Sequence, residues 1–227
     1  MQALEYFKSP NYLNSYRKFH VKVFLELFVI FSIIIFFSII LKAIFISCKL
    51  LPEERGIFQD QRFNIWFLLL YVITIGPFFE ECIFRLILRP TKQNTLFFGV
   101  SICTYMIFRY ILGSTLFVPF IIILGIYLSL LVLSKLTFNP IKWIIGNYWL
   151  FFYLNCLCFG LLHILNFGRI TLPLLVLAPL ITLPQTFIGM ACGYLRMNYG
   201  FLYGLIFHIA VNFFGAILSF HEICTRI

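Results

Sequence analysis

The chain has 227 residues, of which 62% are hydrophobic and only 11% charged, with a formal net charge of +9. No soluble domain hides that much apolar surface, so the composition excludes a water-soluble globular protein and predicts a polytopic membrane protein. The basic residues sit in short loops between apolar runs, which excludes a nucleic-acid surface and makes anionic lipid head groups the simpler partner.

In chain order, residues 1–22 form a basic N-terminal segment with Lys8, Arg17, Lys18 and Lys22 and a turn-like Ser9-Pro10-Asn11. No cleaved leader is expected: the first apolar run is too long and lacks a small-residue cleavage site. Seven apolar segments follow, roughly Val23–Ile46, Phe63–Leu88, Thr95–Leu112, Leu116–Leu133, Trp143–Phe167, Leu172–Leu195 and Tyr199–Phe220. Each crosses or nearly crosses a bilayer, and open sheets cannot sit in lipid, so the segments are predicted as helices. The predicted fold class is all-α, a transmembrane bundle of about seven helices. Residues 23–220 form one membrane domain and 221–227 a short tail. The longest linker, Ser47–Arg62, carries Lys49, Glu53, Glu54, Arg55, Asp60 and Arg62. The seven cysteines are scattered, and Cys156 and Cys158 point to different sides of a helix, so neither a zinc knuckle nor a disulfide framework is read.

With the N-terminus inside, Lys8, Arg17, Lys18, Lys22, Arg89, Lys92, Lys135, Lys142 and Arg196 fall on the inner side. Lys42, Lys49, Arg55, Arg62, Arg109, Arg169 and Arg226 fall on the outer side. This slight positive-inside excess sets the expected orientation.

The second segment holds Glu80, Glu81 and Arg85 among Phe78, Phe79, Ile83, Phe84 and Leu86. Each charge costs roughly 2.5–3.5 kcal/mol at a helix centre, while each Leu, Ile, Phe or Val returns only about 0.3–0.6. Such a helix needs partners inside the membrane. Glu81 and Arg85 are four apart, share a helical face and can pair. Glu80 is rotated by about 100° and needs a partner from another helix. Gly76-Pro77 is expected to interrupt the helix and free carbonyls nearby.

Two histidines lie within apolar segments. His163 follows Phe159 by four residues, so the ring can wall the imidazole, and His208 precedes Asn212 by four. A glutamate, two histidines and an asparagine on three apolar helices make a catalytic or metal-binding set. Taken singly, each is interhelical glue, as are Arg109, Asn155, Gln185 and Thr186.

Glu-Glu-x-x-x-Arg at Glu80–Arg85, Phe-x-x-x-His at Phe159–His163 and His-x-x-x-Asn at His208–Asn212, in that order, resemble the CAAX prenyl protease 2 and bacteriocin-processing (CPBP, or Abi) family of intramembrane proteases. Leu183-Pro184-Gln185, Gly189, Gly193-Tyr194-Leu195-Arg196 and Gly200 are similar to the helix before that family's last motif. The resemblance covers roughly Ile75–Gly215. Leu86 departs from the glycine that many members carry after the motif arginine, and the pair Thr95–Leu112 and Leu116–Leu133 looks inserted. Two added spans keep the relative direction of the motif helices. On these segment limits Glu80 and His163 lie near opposite faces, unless a break at Gly76-Pro77 or shifted helix ends bring them together.

The resemblance implies peptide-bond hydrolysis at or within the membrane, of a prenylated, leader or other membrane-associated peptide. Its catalytic residues would be Glu80, His163, His208 and Asn212, supported by Glu81, Arg85 and Phe159. A desolvated Glu80 suits a general base acting on water, which His163 would hold. His208 and Asn212 would donate hydrogen bonds to the oxyanion. The alternative for the same residues is Zn²⁺ held by Glu80, His163 and His208 with one open position. Cofactor is therefore none or Zn²⁺, with the metal-independent reading preferred. A chain without an added domain is more similar to the bacterial branch, so a prokaryotic cytoplasmic membrane is expected. The rival readings are a non-catalytic bacteriocin-immunity or partner-binding protein on the same fold, and a proton- or ion-coupled carrier. The carrier is disfavoured by the lack of an internal repeat.

Overall fold

The computed structural model describes residues 2–52, 58, 63–111, 121, 124–128, 139–167, 170–219 and 223–224, without side chains at 108–111. The described regular elements are helical. They are α1 (Gln2–Lys8), α2 (Val21–Ser47), α3 (Ile65–Leu70), a π-helical turn (Tyr71–Ile75), α4 (Gly76–Phe84), α5 (Lys92–Ile111), α6 (Pro140–Gly146) and α7 (Tyr148–Leu162). A 3₁₀ turn (His163–Asn166), α8 (Leu172–Ile181), α9 (Leu183–Asn198) and α10 (Phe201–Leu218) follow.

Among the described residues, four stretches are long and apolar enough to cross a membrane: Val21–Ser47, Ile65–Phe84, Tyr148–Asn166 and Phe201–Leu218. A fifth forms if α8 and α9, bent by 41° at their junction, make one span. Pro184 in the first turn of α9 lacks the N–H that would continue α8, and Thr182 sits at the bend. Of the two segments in the looks-inserted pair, the first is helical in α5 from Thr95 through Ile111, and α5 is not among these candidate spans. Lys92, Gln93, Asn94, Thr95, Ser101 and Thr104 dilute its hydrophobicity. Most of Leu116–Leu133 lies outside the described residues.

The surface agrees with lipid contact. Along α2, Val21, Leu25, Val29, Ile33, Phe36 and Phe37 are exposed and apolar. In water so long an apolar face would be a liability.

At the centre lies α9, nearly all of it buried from Phe187 to Asn198. Small residues let its neighbours approach. A Cβ on Gly193 would lie 2.7 Å from the Phe152 ring of α7, and one on Gly189 would lie 3.2 Å from Phe159. Close backbone approach of this kind drives helix association in lipid, where hydrophobic attraction between helices is absent. Gly200 (φ 120°) makes the turn from α9 into α10 in a conformation that L side chains rarely adopt.

The N-terminal segment does more than carry charge. In α1, Ala3, Tyr6 and Phe7 are buried. Tyr6 meets Tyr194 (5.3 Å between centroids) and Phe152 (5.6 Å), and its hydroxyl reaches that of Tyr148. Burial pushes the Tyr6 phenol above its usual range. Nothing in the periodicity of so short a helix announces this docking.

Candidate functional site

Three helices bring the motif residues together. Glu80 and Glu81 come from α4, Phe159 and His163 from the end of α7, and His208 and Asn212 from α10.

Glu81 and Arg85 are fully buried. Glu81 Oε1 lies 3.6 Å from Arg85 Nε, so the pair expected from the spacing of four forms. The same oxygen accepts a hydrogen bond from His208 Nδ1 at 3.0 Å. Oε2 has no hydrogen-bond partner and lies where Gly204 leaves room; a Cβ there would sit 3.3 Å away. Arg85 is held on its far side by Asn155, whose Oδ1 accepts from Nη1 at 2.8 Å. Its guanidinium stacks 4.7 Å from the Phe159 ring centre. Asn155 belongs to this scaffold, and a signal was present: Asn155, Phe159 and His163 form a single run with a spacing of four.

Glu80 finds its partner on another helix. Its Oε2 lies 3.6 Å from His208 Nε2, beyond hydrogen-bond length, and its side chain is 24% exposed while that of His208 is only 2% exposed. His208 therefore stands between two carboxylates. Glu81 fixes the imidazole from the buried side, and Glu80 faces it from the accessible side.

His163 starts the 3₁₀ turn that ends α7, half-buried. Its Nδ1–H donates to the Phe159 carbonyl at 3.0 Å, which sets the tautomer and leaves Nε2 as a lone pair. The Phe159 ring touches both imidazoles, with centroids 5.1 Å from His163 and 5.7 Å from His208, and it meets Phe84 at 5.3 Å. Through the Phe159 ring, the end of α7 that carries His163 meets the His208 that Glu80 faces. Arg85 bonds to the middle of α7, so the end of that helix reaches the depth of the Glu81–His208 cluster.

Asn212 is placed differently from a free oxyanion donor. Its Nδ2 donates to the Val72 carbonyl at 2.8 Å. The expected interruption at Gly76-Pro77 explains why. In the π turn the Gly76 N–H bonds to the Tyr71 carbonyl, so Val72 would be served by residue 77, and Pro77 has no N–H. Asn212 supplies the missing donor from α10, and one amide N–H remains.

Glu81, Cys192 and His208 are the one group of three possible metal ligands, among the described residues, whose donor atoms lie within 4.8 Å of one another. The zinc set read from the sequence, Glu80, His163 and His208, is not gathered in that way. The gathered set also has the Arg85 cation already on its carboxylate. The donor geometry thus does not fit the expected zinc set.

Comparison with known proteins finds no matching family model, no matching curated protein and no matching solved structure.

Proposed function

We propose that the chain is an intramembrane endopeptidase of the CAAX protease/CPBP type, in a bundle of about seven spans counting α5 and the following apolar segment. Its substrate is a membrane-associated peptide, prenylated or leader-like, and the attacking group is a water activated by Glu80. The observation that carries this reading is the order Glu80, His208, Glu81, Arg85. A partly accessible carboxylate faces an imidazole, and a buried carboxylate anchored by arginine holds that imidazole.

Each residue has a task in this reading. The 3.6 Å between Glu80 and His208 is too long for a direct hydrogen bond and leaves a place for a reacting group to bridge them. Glu80 takes a proton from the attacking water, and the His163 Nε2 lone pair holds that water. As the peptide carbonyl becomes an oxyanion, the remaining Asn212 N–H stabilises it, joined by His208 in its doubly protonated form, with Nδ1–H on Glu81 and Nε2–H turned to the oxyanion. The proton on Glu80 passes to the leaving amine, so the carboxylate is regenerated. Glu81, Arg85 and Phe159 keep the imidazole oriented and never touch substrate.

Purified protein incubated with prenylated and membrane peptides in ¹⁸O-enriched water tests the reading. It predicts a new C-terminus carrying one ¹⁸O from a single cut. An intact peptide panel with well-folded protein would overturn it in favour of the immunity or partner-binding role.

A further inference from the structure

Three arginines, Arg17, Arg89 and Arg196, lie toward one end of the bundle and take no part in the glutamate–histidine cluster. The Arg89 guanidinium carbon stacks 4.1 Å from the centre of the Tyr16 ring, and Arg196 Nη1 donates to the Tyr16 hydroxyl at 2.9 Å. The Arg17 N–H donates to the Asn198 carbonyl at 2.6 Å, which brings Arg17 to the end of α9 beside Arg196. Arg89 Nη2 also holds the Leu13 carbonyl at 2.9 Å. Arg196 is 5% exposed and its Nε has no hydrogen-bond partner. Among the described residues, no carboxylate pairs with Arg17, Arg89 or Arg196. Exposed Lys18 and Lys22 continue the positive charge into α2.

The Arg89 and Arg196 guanidiniums share Tyr16 and repel each other, and burying Arg196 without a paired counter-charge costs more still. Glu26 of α2 is a nearby carboxylate, acting on Tyr194 as Arg17 does, but it does not come within ion-pair distance of any of the three arginines. We propose that this cluster is a binding site for a phosphate group, supplied by the head group of an anionic phospholipid. Guanidinium forks match phosphate oxygens. The lipid source is favoured by what adjoins the cluster. Four residues beyond Arg17, α2 begins, and its exposed Val21 (64%), Leu25 (59%) and Val29 (57%) offer an apolar track for acyl chains. Arg17, Arg89 and Arg196 also belong to the side expected to face inward, where anionic lipid is concentrated. The site is independent of any peptidase activity.

Native mass spectrometry of delipidated protein, re-equilibrated with an equimolar mixture of phosphatidylglycerol and phosphatidylcholine, reads the preference directly. About tenfold enrichment of phosphatidylglycerol is expected for the wild type, from roughly additive contributions of nearby arginines. Arg17→Gln and Arg89→Gln should each cut it by about threefold or more. Arg17 is exposed and is held only through its backbone, so its variant keeps the fold; Arg89→Lys, which keeps the charge, should retain most of the enrichment. Equal retention of the two lipids by the wild type overturns the site. So does enrichment that survives both glutamine variants. Displacement of the lipid by millimolar inorganic phosphate overturns the lipid source and assigns the site to a free anion.

Discussion

One oxygen of Glu81 serves two partners, the His208 imidazole at 3.0 Å and Arg85 at 3.6 Å, with no water-facing surface on either acid or arginine. Removing one member of such a buried pair strands the other charge, at a cost of about 3–5 kcal/mol. Glu81→Ala and Arg85→Ala are therefore expected to lower yield and thermal stability sharply, as read by fluorescence-detected size exclusion after heating. The double variant Glu81→Leu/Arg85→Met should regain much of that stability and none of the activity, because His208 loses its anchor. Stability of both single variants equal to wild type would show that the pair bears little of the fold. Glu80 stands apart from this pairing: being partly exposed, it is removable without loss of fold. The sequence made the pairing legible, since spacing by four places Glu81 over Arg85 and Phe159 over His163. It did not make Glu81 legible as the partner of His208, because a contact across 127 positions depends on helix rotation, which periodicity does not encode.

At the scale of elements, the π turn at Tyr71–Ile75 couples α3–α4 to α10. Asn212→Ala leaves the Val72 carbonyl without a donor and should cost about 1–3 kcal/mol. Pro77→Ala restores an N–H at the position the π register needs. In that background Asn212→Ala should cost measurably less, a coupling of about 1 kcal/mol in a double-mutant cycle followed by thermal unfolding. Additive losses would mean that Asn212 acts elsewhere. The interruption itself could be read from Gly76-Pro77. Which carbonyl it frees could not, because that depends on a shift from α to π hydrogen bonding. Between α7 and α9, Gly193→Val meets the Phe152 ring at 2.7 Å, and overpacking of about 1–3 kcal/mol is expected, visible as a lower melting temperature.

Across the whole molecule, α9 is the axis on which α1, α2, α7 and α10 assemble. An all-helical membrane protein was evident from composition alone. Span limits were legible for α2 and α10, where the apolar runs are long and uninterrupted, whereas the expected start at Trp143 falls in α6, and α7 begins only at Tyr148. Nor were they legible for α8–α9, where a single apolar run hides a 41° bend. The docking of α1 was equally hidden, since its basic flank outweighs two aromatic residues in any average. The contacts of Tyr16 with Arg89 and Arg196 put Asn14 and Lys92 on one side of the membrane. Asn14→Cys and Lys92→Cys, in a background without the exposed native cysteines, should react with an impermeant maleimide from the same side of sealed vesicles; opposite sidedness would contradict the packing of the N-terminal segment.

The central claim is that Glu80 activates water beside an anchored His208. Wild type and Glu80→Gln, reconstituted in liposomes, should be compared for cleavage of a fluorogenic prenylated peptide with and without a metal chelator. The expected result is cleavage by wild type regardless of chelator and a loss of about 100-fold or more in Glu80→Gln at unchanged thermal stability. Undiminished cleavage by Glu80→Gln would contradict the account.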